Sequence, residues 1–367
     1  MNYKIKQNKI GILLTASGGL GIPSIIDCLR NNYENKKIKI VCTDTSYQSA
    51  ATLKADKFFI LPKGNSLNYL SSIIKLCKKE NIGIIMPGSA LEIFNLSKNM
   101  KELKNNDIVP TVSNYKTIVK LLNKGKTYSL LQKNKIPVPD FFRVKNSNEF
   151  FRAIRLLGYP KKPICFKPAS YKQGGGARGF RILRRQNNLN KSILKSRPGS
   201  VEIDYQTVKR MVKESRNLDL LLMEYLPGIE YSVYVFAQDG TMKYCVPNIR
   251  KKLQQFYSIE AETTYNKKII ELSRKITELF KFDYNVNIQF KLSKDKQPKV
   301  VEINPRMGGA IILPTAAGLN FPYFAVKHAL NEELVNKLQF KKTRMIRYWK
   351  EVFVSDGKPF NISDISK

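Results

Sequence analysis

Histidine and acidic side chains are what this 367-residue chain has least of: one histidine, and 29 Asp and Glu against 64 Lys and Arg, for a net charge of +35. A lone histidine, His328, leaves no material for a histidine-centred triad or a His-rich zinc site. The five cysteines (28, 42, 77, 165 and 245) have neither metal-like nor disulfide-like spacing and read as small buried hydrophobes. No apolar run approaches the ~20 residues that a membrane-spanning helix needs. The N-terminal residues before the first apolar strand lack the core of a signal peptide, so the cytoplasm is the expected location. The abundance of Lys, Asn and Ile can reflect genome composition, but that bias does not account for the missing acids. Such a field attracts nucleotide phosphates, acidic polymers or nucleic acid. No nucleic-acid module signature is present, so nucleic acid is not expected as a specific substrate.

What is present is globular. Hydrophobic residues make up 43% and aromatics 10%, and the length suits two or three domains. Residues 9–16 form a buried-type strand, residues 17–23 a glycine-rich turn, and residues 24–31 a helix, the opening of a doubly wound α/β unit. The glycines do not fit the full dinucleotide fingerprint. Strands are expected at 37–44, 81–88 and 107–112, with a helix at 89–99. Asp44 ends the second strand, where it could be mistaken for a ribose ligand. Ligands of such sheets bind at strand ends, here 17–21 and 87–92. Residues 113–134 carry helical periodicity, and Ser147 is the expected N-cap of a helix reaching residue 157.

Residues 162–168 read as a strand ending on Lys167, followed by a basic loop with Gly174, Gly175 and Gly176 and then a second strand to residue 183. Backbone N–H groups and cations on such a loop can close over a triphosphate; a flexible surface hairpin fits the same residues. Residues 184–218 form a basic, helix-prone insert. Strand, Pro227-Gly228 turn and strand follow over 220–236, with Glu224 and Glu230 on either side of the turn. Another strand leads into a cationic loop at 248–254, and a helix covers 267–280. Residues 286–292 and 299–304 then alternate as a hairpin, so Glu302 and Asn304 share one face and Gln289 can lie beside them. One carboxylate and two amide oxygens suit a hard cation such as Mg²⁺. A plain edge hairpin with its polar groups in water would look alike. Residues 347–354 read as a final strand.

Gln289, Glu302-Ile303-Asn304-Pro305-Arg306 and the upstream Met223-Glu224-Tyr225-Leu226-Pro227-Gly228-Ile229-Glu230 resemble the ATP-grasp superfamily, in the branch similar to carbamoyl-phosphate synthetase large-subunit domains and solitary carboxylate–amine ligases. The resemblance runs from the first βα unit to about residue 340. It implies an α/β class, α+β in the C-terminal part: an N-terminal α/β domain (1–115), an ATP-grasp domain (116–340, lid about 160–225) and a C-terminal strand and tail (341–367). It further implies ATP and Mg²⁺ as cofactors, two ions, with Mn²⁺ as a substitute. Gln289, Glu302 and Asn304 would hold the metal. Lys124, with Lys126 as a neighbouring alternative, and Lys167 would hold ATP phosphates under a lid carrying Gly174–Gly176. Glu224, Tyr225 and Leu226 would line the adenine and Glu230 the ribose. Arg306 would stabilise the acyl-phosphate transition state or anchor the acceptor, and Arg250 would stand on the substrate side.

The implied reaction is ATP-dependent ligation of a carboxylate and an amine through an acyl phosphate, at least one small-molecule substrate being anionic. A carboxy- or carbamoyl-phosphate-forming kinase, and an ATP-gated binder of an anionic polymer, remain alternatives. A homodimer is compatible with the resemblance. Three departures stand out: Tyr234 and Asn123 replace aspartates of the family, and the lid is longer and more basic, with Lys172 and Arg178.

Overall fold

The computed structural model describes residues 10–47, 49–170, 179–185, 201–254, 256–336, 339–355 and 358–362. Strands β1 (Ile10–Leu14), β2 (Ile38–Asp44), β3 (Lys57–Ile60), β4 (Ile84–Met86) and β5 (Val109–Pro110) form a parallel sheet in the order β3-β2-β1-β4-β5. Its near-continuous apolar strands reflect burial on both faces, as parallel sheets require. The helix after β1 spans Ile22–Arg30 and that after β4 spans Ala90–Lys98, opened by Ser89 and Glu92 in a reciprocal capping box. A helix at Tyr69–Glu80, absent from the sequence reading, fills the β3–β4 crossover.

A second sheet contains β6 (Phe141–Val144), β7 (Ile164–Pro168), β8 (Arg181–Leu183), β9 (Glu202–Ile203) and β10 (Leu220–Glu224), in the order β6-β10-β7-β8-β9. The helices Ser147–Leu156 and Tyr205–Glu214 cover it, sharing a core of Phe150, Ile154, Val208 and Val212 with Phe166, Leu183 and Leu222. A third sheet runs β15-β14-β11-β12-β13-β16, from β11 (Glu230–Gln238), β12 (Thr241–Gln254), β13 (Tyr257–Thr263), β14 (Tyr284–Leu292), β15 (Pro298–Asn304) and β16 (Arg344–Ile346). A separate hairpin pairs β17 (Phe353–Ser355) with β18 (Lys358–Phe360).

Two compact units result. Unit one groups Met1–Ile118, Glu230–Gln289 and Glu302–Lys367; unit two groups Val119–Ile229 and Phe290–Val301. Within unit one, Ile12, Leu14 and Ile26 share one core with Phe236, Tyr244, Phe321 and Phe324. Tyr244 stacks on Phe324 with centroids 4.3 Å apart. Each such buried side chain contributes roughly 1.5–3 kcal/mol, and here they join residues more than 200 positions apart in sequence. Among the described residues, no helix is long and apolar enough to cross a membrane.

Three expectations are corrected. The periodicity over 113–134 is broken into helices Tyr115–Leu121 and Lys124–Lys133, because Asn123 turns its side chain onto the Lys126 N–H and starts a new helix. The cap before Ser147 is Asn146, whose side chain accepts from the Glu149 N–H. The final strand is displaced: β16 ends at Ile346, and residues 347–352 form no strand before β17.

Candidate active site

Unit one carries the metal-type residues. At the end of β15 the pleat turns Glu302 and Asn304 to one side, and the Asn304 Nδ2 donates to Glu302 Oε2 at 3.1 Å. That bond leaves the Asn304 carbonyl oxygen as its remaining acceptor. Gln289 lies on β14, the neighbouring strand in the sheet. Among the described residues, no group of three or more His, Cys, Asp or Glu side chains converges. One carboxylate with amide oxygens fits a hard, oxygen-seeking ion that retains waters, as Mg²⁺ does, and does not fit a soft-ligand zinc site.

The segment after Glu302 is held by its own backbone and two aromatic or cationic side chains. The Arg306 N–H donates to Asn304 O at 2.8 Å, and its Nη1 donates to Met307 O at 2.8 Å. Tyr234 is buried, and its hydroxyl accepts the Ala310 N–H at 3.0 Å. Burial pushes that phenol up. Gly308 lies against the ring so closely that a Cβ there would come within 2.9 Å of Tyr234 Cε1. Tyr234 therefore has a structural use: it fixes the loop that follows the metal-type strand. Arg347, which the sequence reading missed, donates from Nη2 to Gly309 O at 2.8 Å. A Cβ on Gly21 would meet Gly309 Cα at 3.2 Å, so the N-terminal glycine turn packs directly on this loop.

Arg250 and Glu230, expected on the substrate and the ribose respectively, are ion-paired with one another. Arg250 also donates to the Ser258 hydroxyl at 3.0 Å and to Phe256 O. At the strand ends of the N-terminal sheet, Asp44 accepts the Gly18 N–H and so shapes the glycine turn instead of standing free. Glu92 is buried, accepts from Thr15 Oγ1 at 2.8 Å, and has its carboxyl pushed up by burial.

Unit two carries the phosphate-type and adenine-type residues. Lys124 and Lys167 are both only 6% exposed, an unusual state for lysine. Lys167 Nζ donates to Val301 O at 2.8 Å and lies 5.6 Å from the centre of the Tyr128 ring; the Tyr128 hydroxyl donates to the same carbonyl at 2.7 Å. Val301 is the residue immediately before Glu302. The Lys124 N–H donates to Ala169 O at 2.9 Å, and an isolated bridge joins Asn123 to Ser170, which ties the start of this helix to the end of the Lys167 strand. Lys126 points to solvent, which favours Lys124 of the two candidates. Glu224 pairs with Lys299 and accepts from the Asp140 N–H at 3.2 Å. Tyr225 lies between Arg184 and Lys291, 4.7 and 5.0 Å from its ring centre, while Leu226 is buried. At the turn, the Gly228 N–H donates to Leu292 O at 3.0 Å, and a Cβ there would strike Leu292 at 2.7 Å. Gly174, Gly175, Gly176, Lys172 and Arg178 lie outside the described residues.

Residues 216–352 match a family model described as "ATP-grasp in the biosynthetic pathway with Ter operon", and residues 12–112 match "PylC-like, N-terminal domain". No curated protein sequence matches. Among solved structures, the chain is similar to N5-carboxyaminoimidazole synthetase from Staphylococcus aureus complexed with ADP, at a TM-score of 0.69 and 16% identity, covering 95% of this chain and 84% of that one. It is similar to biotin carboxylase from Campylobacter jejuni at 0.64 and 16%, covering 89% and 72%. The L-amino acid ligase from Bacillus licheniformis follows at 0.61 and 15%, covering 89% and 75%. At these identities the likeness concerns the fold. Residues 216–352 thus match an ATP-grasp family model, and the chain shares its fold with these structures along about nine-tenths of its length.

Proposed function

We propose that the protein is an ATP-dependent carboxylate–amine ligase that releases ADP and phosphate. The observation that carries this reading lies within unit two: two buried lysines, Lys124 and Lys167, the second with its Nζ held on Val301 O at 2.8 Å. Glu302, Asn304 and Gln289 would hold Mg²⁺, which supplies charge neutralisation of the transferring phosphoryl oxygens when bound. Lys124 and Lys167 bind the nucleotide phosphates, Tyr225 and Leu226 the adenine. Glu230, engaged by Arg250, reaches the ribose by sharing its carboxylate between the two.

The chemistry needs no histidine base. A substrate carboxylate oxygen attacks the γ-phosphorus, and the bond to the β,γ-bridging oxygen breaks to release ADP. An amine nitrogen then attacks the acyl carbon, phosphate leaves, and the nitrogen loses a proton. Arg306 offsets the negative charge in the first step or holds the acceptor. The reading takes residues 116–340 as the ATP-grasp domain with 160–225 as its lid.

The printed names of the similar structures divide between carboxylating enzymes and an amino-acid ligase, so bicarbonate belongs among the candidate carboxylates. The test is phosphate release from Mg-ATP across a matrix of bicarbonate, amino acids, short peptides, sugar acids and ammonia, with mass spectrometry of products. A condensed product formed by the wild type and lost in Glu302→Ala is the expected result. Turnover that persists undiminished in Glu302→Ala would overturn the metal assignment.

A further inference from the structure

The helices Ser147–Leu156 and Tyr205–Glu214 bury Phe150, Ala153 and Ile154 on one and Val208 and Val212 on the other against the sheet of unit two. With 100° between successive residues, the opposite side of each helix must face solvent. There the first helix presents Arg152 and Arg155, and the second presents Arg210 and Lys213, all exposed. Among the described residues, no carboxylate lies within ion-pair distance of any of these four. Four of the nearby acids have other work, and Glu214, exposed on the same outer side four residues after Arg210, leaves the face with a net excess of three positive charges. Glu149 accepts from the Lys145 N–H and the Asn146 side chain, and Asp204 caps its helix through the Thr207 N–H. Asp219 pairs with Arg143 and Glu202 with Arg184.

Two large apolar side chains stand among these cations: Leu156 is 61% and Met211 55% exposed. Neither is needed to close the core below. A surface that met only phosphates would gain nothing from them, because backbone phosphate recognition is electrostatic. A protein surface gains from both, since cations steer an acidic partner and apolar side chains supply the buried centre of the contact.

We infer that the outer face of these two helices docks an acidic protein surface, of the kind an amphipathic helix rich in Glu with apolar anchors presents. The apolar anchors seat against Leu156 and Met211, and the acids engage Arg152, Arg155, Arg210 and Lys213. The inference does not depend on the ligase reading.

The test uses the whole chain and three labelled probes at ~150 mM salt, where the Debye length is about 8 Å: a synthetic amphipathic helical peptide of Glu and Leu, poly-L-glutamate of equal charge, and duplex DNA. The peptide is expected to bind about tenfold more tightly than polyglutamate. The triple variant Arg152→Glu, Arg155→Glu, Lys213→Glu should weaken both by about tenfold or more. The double variant Leu156→Ser, Met211→Ser should remove only the peptide's advantage. All five positions are exposed, and circular dichroism verifies folding. DNA bound as tightly as the peptide, indifference to the apolar pair, or absence of peptide binding would overturn the inference. So would an equal loss from reversing Lys101, Lys104 and Lys116, exposed cations of unit one, since the attraction would then belong to the overall charge.

Discussion

Unit one carries 36 Lys and Arg against 21 Asp and Glu over 244 residues, whereas unit two carries 28 against 8 over 123. The net excesses, +15 and +20, are similar in size, but the second is packed into half the chain length. They are also used differently. In unit one, Lys327 is drawn into the interior between Glu34 and Glu332, and Lys39 and Lys57 converge on buried Glu80. In unit two, Asp204 caps a helix, Asp219 and Glu202 each hold an arginine and Glu224 a lysine, while two lysines are buried and four helix-face cations stay open. A genome-wide preference for lysine would act on both units alike.

If that division is right, the largest effect belongs to a buried lysine of unit two. Lys167→Met should lower ATP turnover about 10²–10³-fold, roughly 3–4 kcal/mol of transition-state stabilisation, with a circular-dichroism spectrum unchanged. A loss below tenfold would class Lys167 with the structural lysines. Lys327→Met should do the reverse, costing about 2 kcal/mol in urea unfolding because Glu34 and Glu332 are then left to share Lys36 alone in a partly buried site. A cost under 1 kcal/mol would blur the comparison.

The pH dependence sharpens it further. Burial pushes the Glu34 carboxyl up, but hydrogen bonds from Lys327, Tyr323 and Lys36 outweigh burial and hold it down to about 2, against 4.5 ordinarily. A group depressed on folding contributes fully above its unfolded value and loses that contribution as pH falls through its folded one. Unfolding free energy should therefore decline from pH 4.5 towards 2, by about 1–2 kcal/mol after solvent screening. Glu34→Gln should flatten that part of the profile; an unaltered profile would show that other carboxylates govern it. The smallest effect is in unit two: Asn123→Ala should cost about 1 kcal/mol as a lost N-cap, and Asn123→Asp should stay within about 0.5 kcal/mol by thermal melts. A large loss in the aspartate variant would mean that Asn123 does more than cap.

Much of the architecture was legible because local signals agreed with tertiary ones. The parallel strands are apolar runs between turn residues, and the helix Lys267–Phe280 stands where periodicity put it. Glu302 and Asn304 share a face because a strand has a period of two. What escaped was decided by distant contacts. Nothing local says that Glu230 and Arg250 pair across two strands, or that Tyr234 receives the Ala310 N–H. Arg347 looked like part of a strand, yet its bond to Gly309 depends on where the chain turns after Ile346. The split at Asn123 was local and readable: an asparagine three residues before a free N–H is a cap signal that the longer apolar period concealed.

The shared core of unit one sets a timetable for synthesis. One face of the N-terminal sheet is closed by Phe321 and Phe324, and its glycine turn by Gly309. A ribosome working at ~5–20 residues per second reaches those positions about 10–40 s after residue 118 is made. Throughout that interval the nascent N-terminal sheet carries an uncovered apolar face, so chaperone capture at this stage should be strongest for ribosomes stalled between codons 118 and 324.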